Sequence, residues 1–126
     1  MNYYLGLDLG SSSVKASLVE VTNGKSIAVV QQPKKEMCIT AHKNGWAEQS
    51  PEDWWQHICK AINELKSTFN IESNQIQGIG ISYQMHGLVL IDNKGNVLRD
   101  SIIWCDSRAV TIGNDAFTAI GQEQCK

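Results

Sequence analysis

The spacing of the first three apolar segments constrains the fold of this chain more than any other feature. Residues 2–9, 13–21 and 25–32 each have the length and composition of a β-strand, and only short turns separate them. A parallel connection needs a crossover of a dozen or more residues, usually a helix, and there is no room for one. Asn23 followed by Gly24 is also a strong hairpin signal. The sequence therefore predicts an antiparallel three-stranded meander at the N-terminus.

A long helix is the clearest element after the meander. Over residues 50–69, apolar side chains recur at helical spacing, so one face is expected to be buried. Ser50 is a good N-cap, Pro51 suits the first helical position, and two acidic residues follow in the first turn. These signals predict a helix that begins directly after Ser50.

The remaining segments continue an α/β pattern. Residues 75–82 are expected to form a strand, followed by the apolar segments 88–92 and 101–104, so one or two strands are expected before the last helix. Residues 107–126 have a helical pattern, although Gly113 weakens it. The sequence reaches GQEQCK without a closing element, which favours a piece of a longer protein.

Composition restricts the classes of function. The 126 residues include 11 basic and 13 acidic side chains, giving a net charge of −2 without a basic cluster, so nucleic acid and acidic membranes are not expected partners. There is no apolar run of membrane-spanning length and no secretion signal, so a cytoplasmic location is expected. The four cysteines form no C-x-x-C pair and are expected to be free thiols. The length suits one domain.

Residues 7–15, LDLGSSSVK, are the first candidate site. Asp8 closes a strand, and Gly10 and three serines follow it. A carboxylate can hold a hydrated Mg²⁺, glycine lets the backbone approach phosphate oxygens, and hydroxyls donate to them. The segment is not a P-loop, because the G-x-x-x-x-G-K-[ST] pattern is absent and a strand follows. An ordinary polar β-turn is the alternative, because Asp, Gly and Ser are common turn formers.

Residues 84–87, QMHG, are the second candidate, because they interrupt two apolar segments with polar groups. His86 would hydrogen-bond a small polar ligand, and Gly87 would allow that ligand to approach closely. The alternative is a surface histidine ahead of a glycine turn. The residues alone leave both interpretations open.

Residues 102–108, IIWCDSR, are the third candidate. The ring of Trp104 beside charged groups suits a sugar, whose CH face stacks while its hydroxyls form hydrogen bonds. The alternative is a helix start, with Asp106 or Ser107 as the cap and Trp104 in the core.

Residues 45–51, GWAEQSP, contain two side chains that helix capping does not explain. Ser50 and Pro51 account for the start of the helix. Trp46 and Glu48 have no part in that start and are left without an assigned role.

Together, in this order, these segments resemble the FGGY carbohydrate kinases of the actin, hexokinase and heat-shock-protein superfamily. GLDLGSSSVK looks like the first phosphate motif of that family, and GWAEQSPEDWW is similar to its segment before the first helix. GIGISYQMHGLVLID and LRDSIIWCDSRAV look like its sugar-binding loop and the following strand. The resemblance spans residues 3–110.

This resemblance implies an α/β fold, namely the N-terminal part of a ribonuclease-H-like domain with a mixed sheet. Residues 75–82 would lie beside the first strand. Residues 1–126 would form the first part of the sugar-binding domain, and the rest of that domain and an adenine-binding domain would lie outside them. The catalytic base, an aspartate, would lie beyond Lys126, so no catalytic residue is assigned and this chain alone is expected to be inactive.

The resemblance also implies site residues and cofactors. ATP and Mg²⁺ are the implied cofactors, with Asp8 as the metal residue. The residues implied to bind the ATP phosphates are Gly10, Ser11, Ser12, Ser13 and Lys15. The residues implied to bind the sugar are Met85, His86, Gly87, Trp104 and Asp106.

The implied sugar is D-xylulose, because QMHG resembles the form found in family members that act on it. Tyr83 departs from that pattern, since those members often carry glycine there, and the bulk of tyrosine would alter the pocket wall. A kinase for another ketose or polyol, and a sugar-binding protein without transfer, therefore stay as alternatives. The resemblance leaves a homodimer of the full-length protein open.

Overall fold

A mixed β-sheet with one long helix against it makes up most of the fold. The computed structural model describes residues 1–125. The elements in chain order are β1 (Tyr3–Leu9), β2 (Val14–Glu20), β3 (Ser26–Gln32), β4 (Glu48–Gln49), α1 (Pro51–Phe69), β5 (Ile76–Tyr83), β6 (Ser101–Ile102) and α2 (Val110–Ile120), with a short 3₁₀ turn at Ser73–Gln75. Within these residues, no helix is long and apolar enough to cross a membrane, and all four cysteines are free thiols.

The sheet has the strand order β3-β2-β1-β5. β1 pairs antiparallel with β2 and β2 with β3, so the predicted meander is confirmed. β5 lies on the other side of β1 and runs parallel to it, with Asp8 opposite Ser82 and Leu9 opposite Tyr83. Because parallel strands end at the same edge of a sheet, the first two candidate segments lie side by side there.

Helix α1 covers one face of the meander. It begins as predicted: the Ser50 hydroxyl accepts the N–H of Asp53 at 3.4 Å, and Pro51 is its first residue. The buried core between helix and sheet consists of Tyr3, Leu5, Leu7, Ala16, Leu18, Val30, Ala61, Leu65 and Ile71. Burying one such large aliphatic side chain contributes about 1.5–3 kcal/mol, so this core fixes α1 on the sheet.

A second, smaller core fixes the loops at the end of the sheet. Its buried residues are Met37, Ala47, Trp54 and Ile103. Beside it, β4 pairs antiparallel with β6, with Glu48 opposite Ile102 and Gln49 opposite Ser101. This pairing places the segment before α1 against the segment that carries Trp104.

Residues 88–92, one of the segments that could supply a second strand, do not form one. Only isolated bridges occur there, one between Leu88 and Ile102 and one between Ile91 and Val97. The four apolar side chains of this segment are exposed. A strand with no buried face has little to fix its register, which explains the absence of a continuous ladder.

Two predicted elements are shorter in the structure. The strand predicted at 101–104 keeps two residues as β6. The helix predicted at 107–126 begins only at Val110, because Ser107 donates its N–H and its hydroxyl to the carbonyl of Gly45 and holds a non-helical turn. The last residue of that prediction lies outside the described residues.

Candidate functional site

Residues 10–13, which we name the phosphate turn after its predicted role, connect β1 to β2. The N–H of Gly10 donates to the carbonyl of Ser13 at 3.0 Å and closes the turn. A Cβ atom at Gly10 would lie 3.2 Å from that oxygen, so the close backbone approach favours glycine. Ser12 is exposed and Ser11 half-buried, whereas Ser13 is buried. The first two serines are thus the more accessible donors.

Asp8 and Lys15 face each other across β1 and β2 beside the phosphate turn. The Lys15 Nζ atom is 3.8 Å from Asp8 Oδ2, and both side chains are about half exposed. An exposed ion pair of this kind contributes about 0–1 kcal/mol, so both groups are free to meet another charge.

Asp8 fits Mg²⁺ only as a single carboxylate contact. In residues 1–125, no three or more His, Cys, Asp or Glu side chains come together as a metal cage. Mg²⁺ commonly keeps several waters and takes one or two carboxylates together with substrate phosphate oxygens. An exposed carboxylate next to a turn of donors matches that ligand set.

Residues 84–87, which we name the sugar loop after its predicted role, begin where β5 ends. The N–H of Gln84 donates to the carbonyl of Leu9 at 2.8 Å, so the loop is tied to the end of β1. His86 has a left-handed backbone with φ of 62°, which is uncommon outside glycine. A Cβ atom at Gly87 would make only ordinary contacts, the nearest at 3.7 Å. The unusual backbone therefore belongs to His86, whose side chain is exposed beside Met85.

Trp104 links the third candidate segment to the phosphate turn. Its indole Nε1 donates to the hydroxyl of Ser11 at 3.3 Å. The residue is 58% exposed, so it is not a core residue. Its ring is available to a ligand at the carboxyl ends of β1 and β5.

Asp106 has a different environment from the other predicted sugar residues. Its side chain is 2% exposed, and it accepts hydrogen bonds from Arg108 and from the N–H of Ala47. The Arg108 guanidinium holds the pKa of Asp106 well below its usual range. The N-cap of α2 is Ala109, so Asp106 does not cap that helix. Its carboxylate fixes the loop that carries Trp104, and a direct sugar contact stays a prediction.

Glu48 and Trp46, which had no assigned role in the sequence, both contact the same arginine, Arg108. The buried carboxylate of Glu48 accepts from Arg99 at 2.5 Å and from Arg108 at 2.6 Å, and these bonds, that of Arg108 foremost, lower its pKa. The Arg108 guanidinium also lies 3.7 Å from the centre of the Trp46 ring, a cation–π contact. Glu48, Arg108 and Asp106, which we name the buried brace, join β4 to the segment before α2.

Gln49 is a residue that sequence reasoning missed. It is 3% exposed, and its side-chain amide forms hydrogen bonds with Ser11, Cys38, Trp54 and Gln84. The available signal was a polar Glu-Gln pair directly before a helix cap, where neither residue has a capping role.

Residues 3–125 match the model of the FGGY family of carbohydrate kinases, N-terminal domain. The chain belongs to this family. The mixed sheet of this FGGY chain is that of the sugar kinases with an actin/hexokinase-like fold, so the predicted fold class is confirmed.

Three known proteins illustrate the similarity of this FGGY chain. Xylulose kinase of Bacillus subtilis (strain 168) is 45% identical over 108 residues, which are 86% of this chain and 21% of that protein. The structure of ligand-bound xylulose kinase from Lactobacillus acidophilus has a TM-score of 0.82 at 31% identity, covering 94% of this chain and 23% of the other. The structure of gluconate kinase from Lactobacillus acidophilus has a TM-score of 0.81 at 31% identity, with coverage of 94% and 23%. The FGGY chain spans less than a quarter of each of these relatives.

Proposed function

We propose that this chain is the N-terminal part of the sugar-binding domain of an ATP-dependent kinase that transfers the γ-phosphoryl group to D-xylulose, giving D-xylulose 5-phosphate. One observation carries the proposal: the phosphate turn and the sugar loop meet at the carboxyl ends of β1 and β5. A backbone hydrogen bond from Gln84 fixes the sugar loop to Leu9 at the end of β1, and a side-chain bond from Trp104 reaches Ser11 in the phosphate turn. The name of the Bacillus subtilis relative, xylulose kinase, supports xylulose as the acceptor.

The phosphate side of the site would be built by β1, the phosphate turn and β2. The turn, from Gly10 to Ser13, would donate backbone N–H groups and serine hydroxyls to the phosphates of ATP, and Lys15 would add positive charge. Asp8 would hold Mg²⁺ through one carboxylate contact. When bound, Mg²⁺ stabilises negative charge on the transferring phosphoryl group.

The sugar side would be built by the sugar loop and Trp104. His86 would hydrogen-bond a sugar hydroxyl, with Met85 and Gly87 beside it, and the Trp104 ring would cover the CH face of the sugar. We also assign Asp106 to the sugar side, because its carboxylate fixes the loop that carries Trp104.

Transfer also needs a base for the proton of the attacking hydroxyl. By resemblance to the family, that base is proposed to be an aspartate outside residues 1–126. The proposal therefore assigns binding and positioning to this chain and expects it to have no activity by itself.

A kinase for another polyol or ketose is the second candidate. The gluconate kinase of Lactobacillus acidophilus is as similar to this chain as the xylulose kinase of that organism is. Tyr83 is largely exposed at the end of β5, next to the sugar loop, where its ring would narrow the space for a sugar.

A coupled ADP-release assay on the full-length protein tests the proposal. D-Xylulose, gluconate and glycerol are compared at equal ATP and Mg²⁺, and the product is identified by mass spectrometry and NMR. D-Xylulose is expected to give the highest kcat/KM. A higher value with gluconate or glycerol would favour the second candidate, and sugar binding without ADP release would favour a sugar-binding protein without transfer.

A further inference from the structure

We propose that Gln49 is a positioning residue that holds the phosphate turn against the sugar loop, so that phosphoryl transfer depends on its amide donors. The inference rests on the proposed kinase function and adds a residue that would act through the binding loops without touching substrate. Gln49 ends β4 and directly precedes Ser50, the N-cap of α1. Its backbone is therefore fixed by both the small sheet and the helix.

The two amide protons of Gln49 have carbonyl partners in two different loops. Its Nε2 atom lies 2.6 Å from the carbonyl oxygen of Ser11 and 3.2 Å from that of Cys38. The Ser11 carbonyl belongs to the phosphate turn, so this bond fixes the turn from behind. At 3% exposure, water has little access to replace either bond.

The amide oxygen of Gln49 faces the sugar loop and α1. It accepts from Trp54 Nε1 at 3.2 Å and from Gln84 Nε2 at the longer distance of 3.5 Å. An indole N–H can only donate, so Trp54 requires the oxygen on its side and leaves the amide protons for the two carbonyls. The orientation of the amide is thus set by its surroundings.

The side chain of Gln49 is consequently hydrogen-bonded to both candidate loops, and its own backbone is held rigidly. Ser11 lies in the phosphate turn, and Gln84 is the first residue of the sugar loop. A misplacement of about 1 Å between reacting groups can cost about 100-fold in rate. Loss of the amide donors should therefore lower kcat more than it weakens the binding of either substrate.

The test uses two substitutions in the full-length enzyme. Gln49→Glu keeps the side-chain length and oxygen acceptors but removes both amide donors, and it is expected to lower kcat by about 10-fold or more while the Kd for D-xylulose stays within about 3-fold. Trp54→Phe removes the indole donor and leaves the Gln49 donors in place. It is expected to lower Tm but to keep kcat within about 2-fold of the wild type.

Gln32→Met is the matched control. Gln32 is a half-buried glutamine whose amide donates to Glu64, and it belongs to neither loop. This variant is expected to keep kcat and both KM values. The proposal is overturned if Gln49→Glu has wild-type kcat, or if Trp54→Phe loses as much kcat as Gln49→Glu at a similar loss of Tm.

A measurement on the wild-type enzyme covers the case in which Gln49 variants do not fold. Binding of D-xylulose is expected to slow hydrogen–deuterium exchange in the phosphate turn as well as in the sugar loop, and unchanged exchange in the turn would overturn the proposal. A wild-type enzyme without sugar-stimulated ADP release would remove the proposed function and this inference with it. An active wild type with an equally active Gln49→Glu variant would remove this inference alone.

Discussion

At the residue scale, His86 combines an uncommon backbone conformation with an exposed side chain. Its backbone is left-handed, with φ of 62°, and its imidazole is exposed at the end of β5. A left-handed non-glycine residue costs about 1–2 kcal/mol, so the surrounding structure must hold it there. Such strain is often found at binding sites, which agrees with the proposed contact between His86 and the sugar.

Replacing His86 should affect the sugar and not ATP. In the full-length enzyme, His86→Ala is expected to raise the KM for D-xylulose by about 2- to 10-fold, because one hydrogen bond contributes about 0.5–1.5 kcal/mol. The KM for ATP should change little. Steady-state kinetics with each substrate varied in turn gives both values.

His86→Gly is the matched control, because glycine removes the imidazole but accepts the left-handed backbone. Both variants should show a similar rise in the KM for D-xylulose. A rise with alanine alone would assign the effect to the backbone, and equal damage to both substrates would indicate a misfolded loop.

Asp8 should affect turnover more than sugar binding. In the full-length enzyme, Asp8→Asn removes the carboxylate charge proposed to act on Mg²⁺ and phosphate, so kcat is expected to fall by about 100-fold or more. The Kd for D-xylulose, measured by calorimetry, should stay within about 3-fold. Normal turnover together with a large loss of sugar affinity would contradict the assignment of Asp8 to the phosphate side.

At the element scale, the elements that sequence reasoning predicted well depend on neighbouring residues. Ser50 and Pro51 start α1, and Asn23 with Gly24 turns β2 into β3, through signals within a few positions. The start of α2 could not be read in this way, because it depends on Ser107 bonding to a carbonyl 62 positions earlier.

The same distinction applies to the candidate site. Asp8 lies near the end of β1, two positions before Gly10, and His86 follows the end of β5 and directly precedes Gly87, which is visible in the sequence. Gln49 and Glu48 gain their roles from partners in other segments; the Glu48 carboxylate meets Arg108 from 60 positions away. No local pattern encodes such a partner, so only the folded chain reveals it.

The buried brace between β4 and the segment before α2 should make the fold sensitive to acid. Glu48 and Asp106 both have a pKa lowered in the folded state, in each case first by hydrogen bonds from Arg108. A lowered carboxyl pKa adds stability that is present above the unfolded value and lost as pH falls through the folded one. Tm is therefore expected to fall below about pH 4.

Glu48→Gln tests this brace by calorimetry across pH. The variant should have a lower Tm than the wild type at pH 7, and the difference should shrink as the pH falls below about 4. Glu64→Gln is the control, because Glu64 pairs with Lys34 in a more exposed ion pair and should change Tm less. An equal effect of the two substitutions would show that burial adds nothing to the brace.

At the scale of the whole molecule, the helix-facing side of the sheet is unevenly covered. α1 packs mainly on β2 and β3, whereas Ile79 and Ile81 on β5 are 61% and 66% exposed. They share a face with the buried Leu5 and Leu7 of β1. Within residues 1–125, β5 is also an outer strand of the sheet. An apolar strand at a sheet edge favours association.

The 126-residue chain is therefore expected to self-associate when produced alone. Analytical ultracentrifugation over a concentration series should show mass above that of a monomer, and Ile79→Ser combined with Ile81→Ser should reduce it. Val29→Ser is the control, because Val29 is similarly exposed on the other outer strand, β3, but lies on the opposite face of the sheet from the buried Val30. A monomer at all concentrations, or an equal effect of Val29→Ser, would contradict this expectation.

The hydrogen bond between Trp104 and Ser11 gives the molecule an optical reporter. An indole that is half open to water and bonded to a serine hydroxyl shifts its fluorescence when either neighbour changes. Of the other three tryptophans, Trp54 is buried behind Gln49, Trp55 lies on the exposed side of α1, and Trp46 packs against the Arg108 guanidinium. A change in Trp104 emission is therefore the expected signal when phosphate or sugar binds at the proposed site, with no dye attached to the protein.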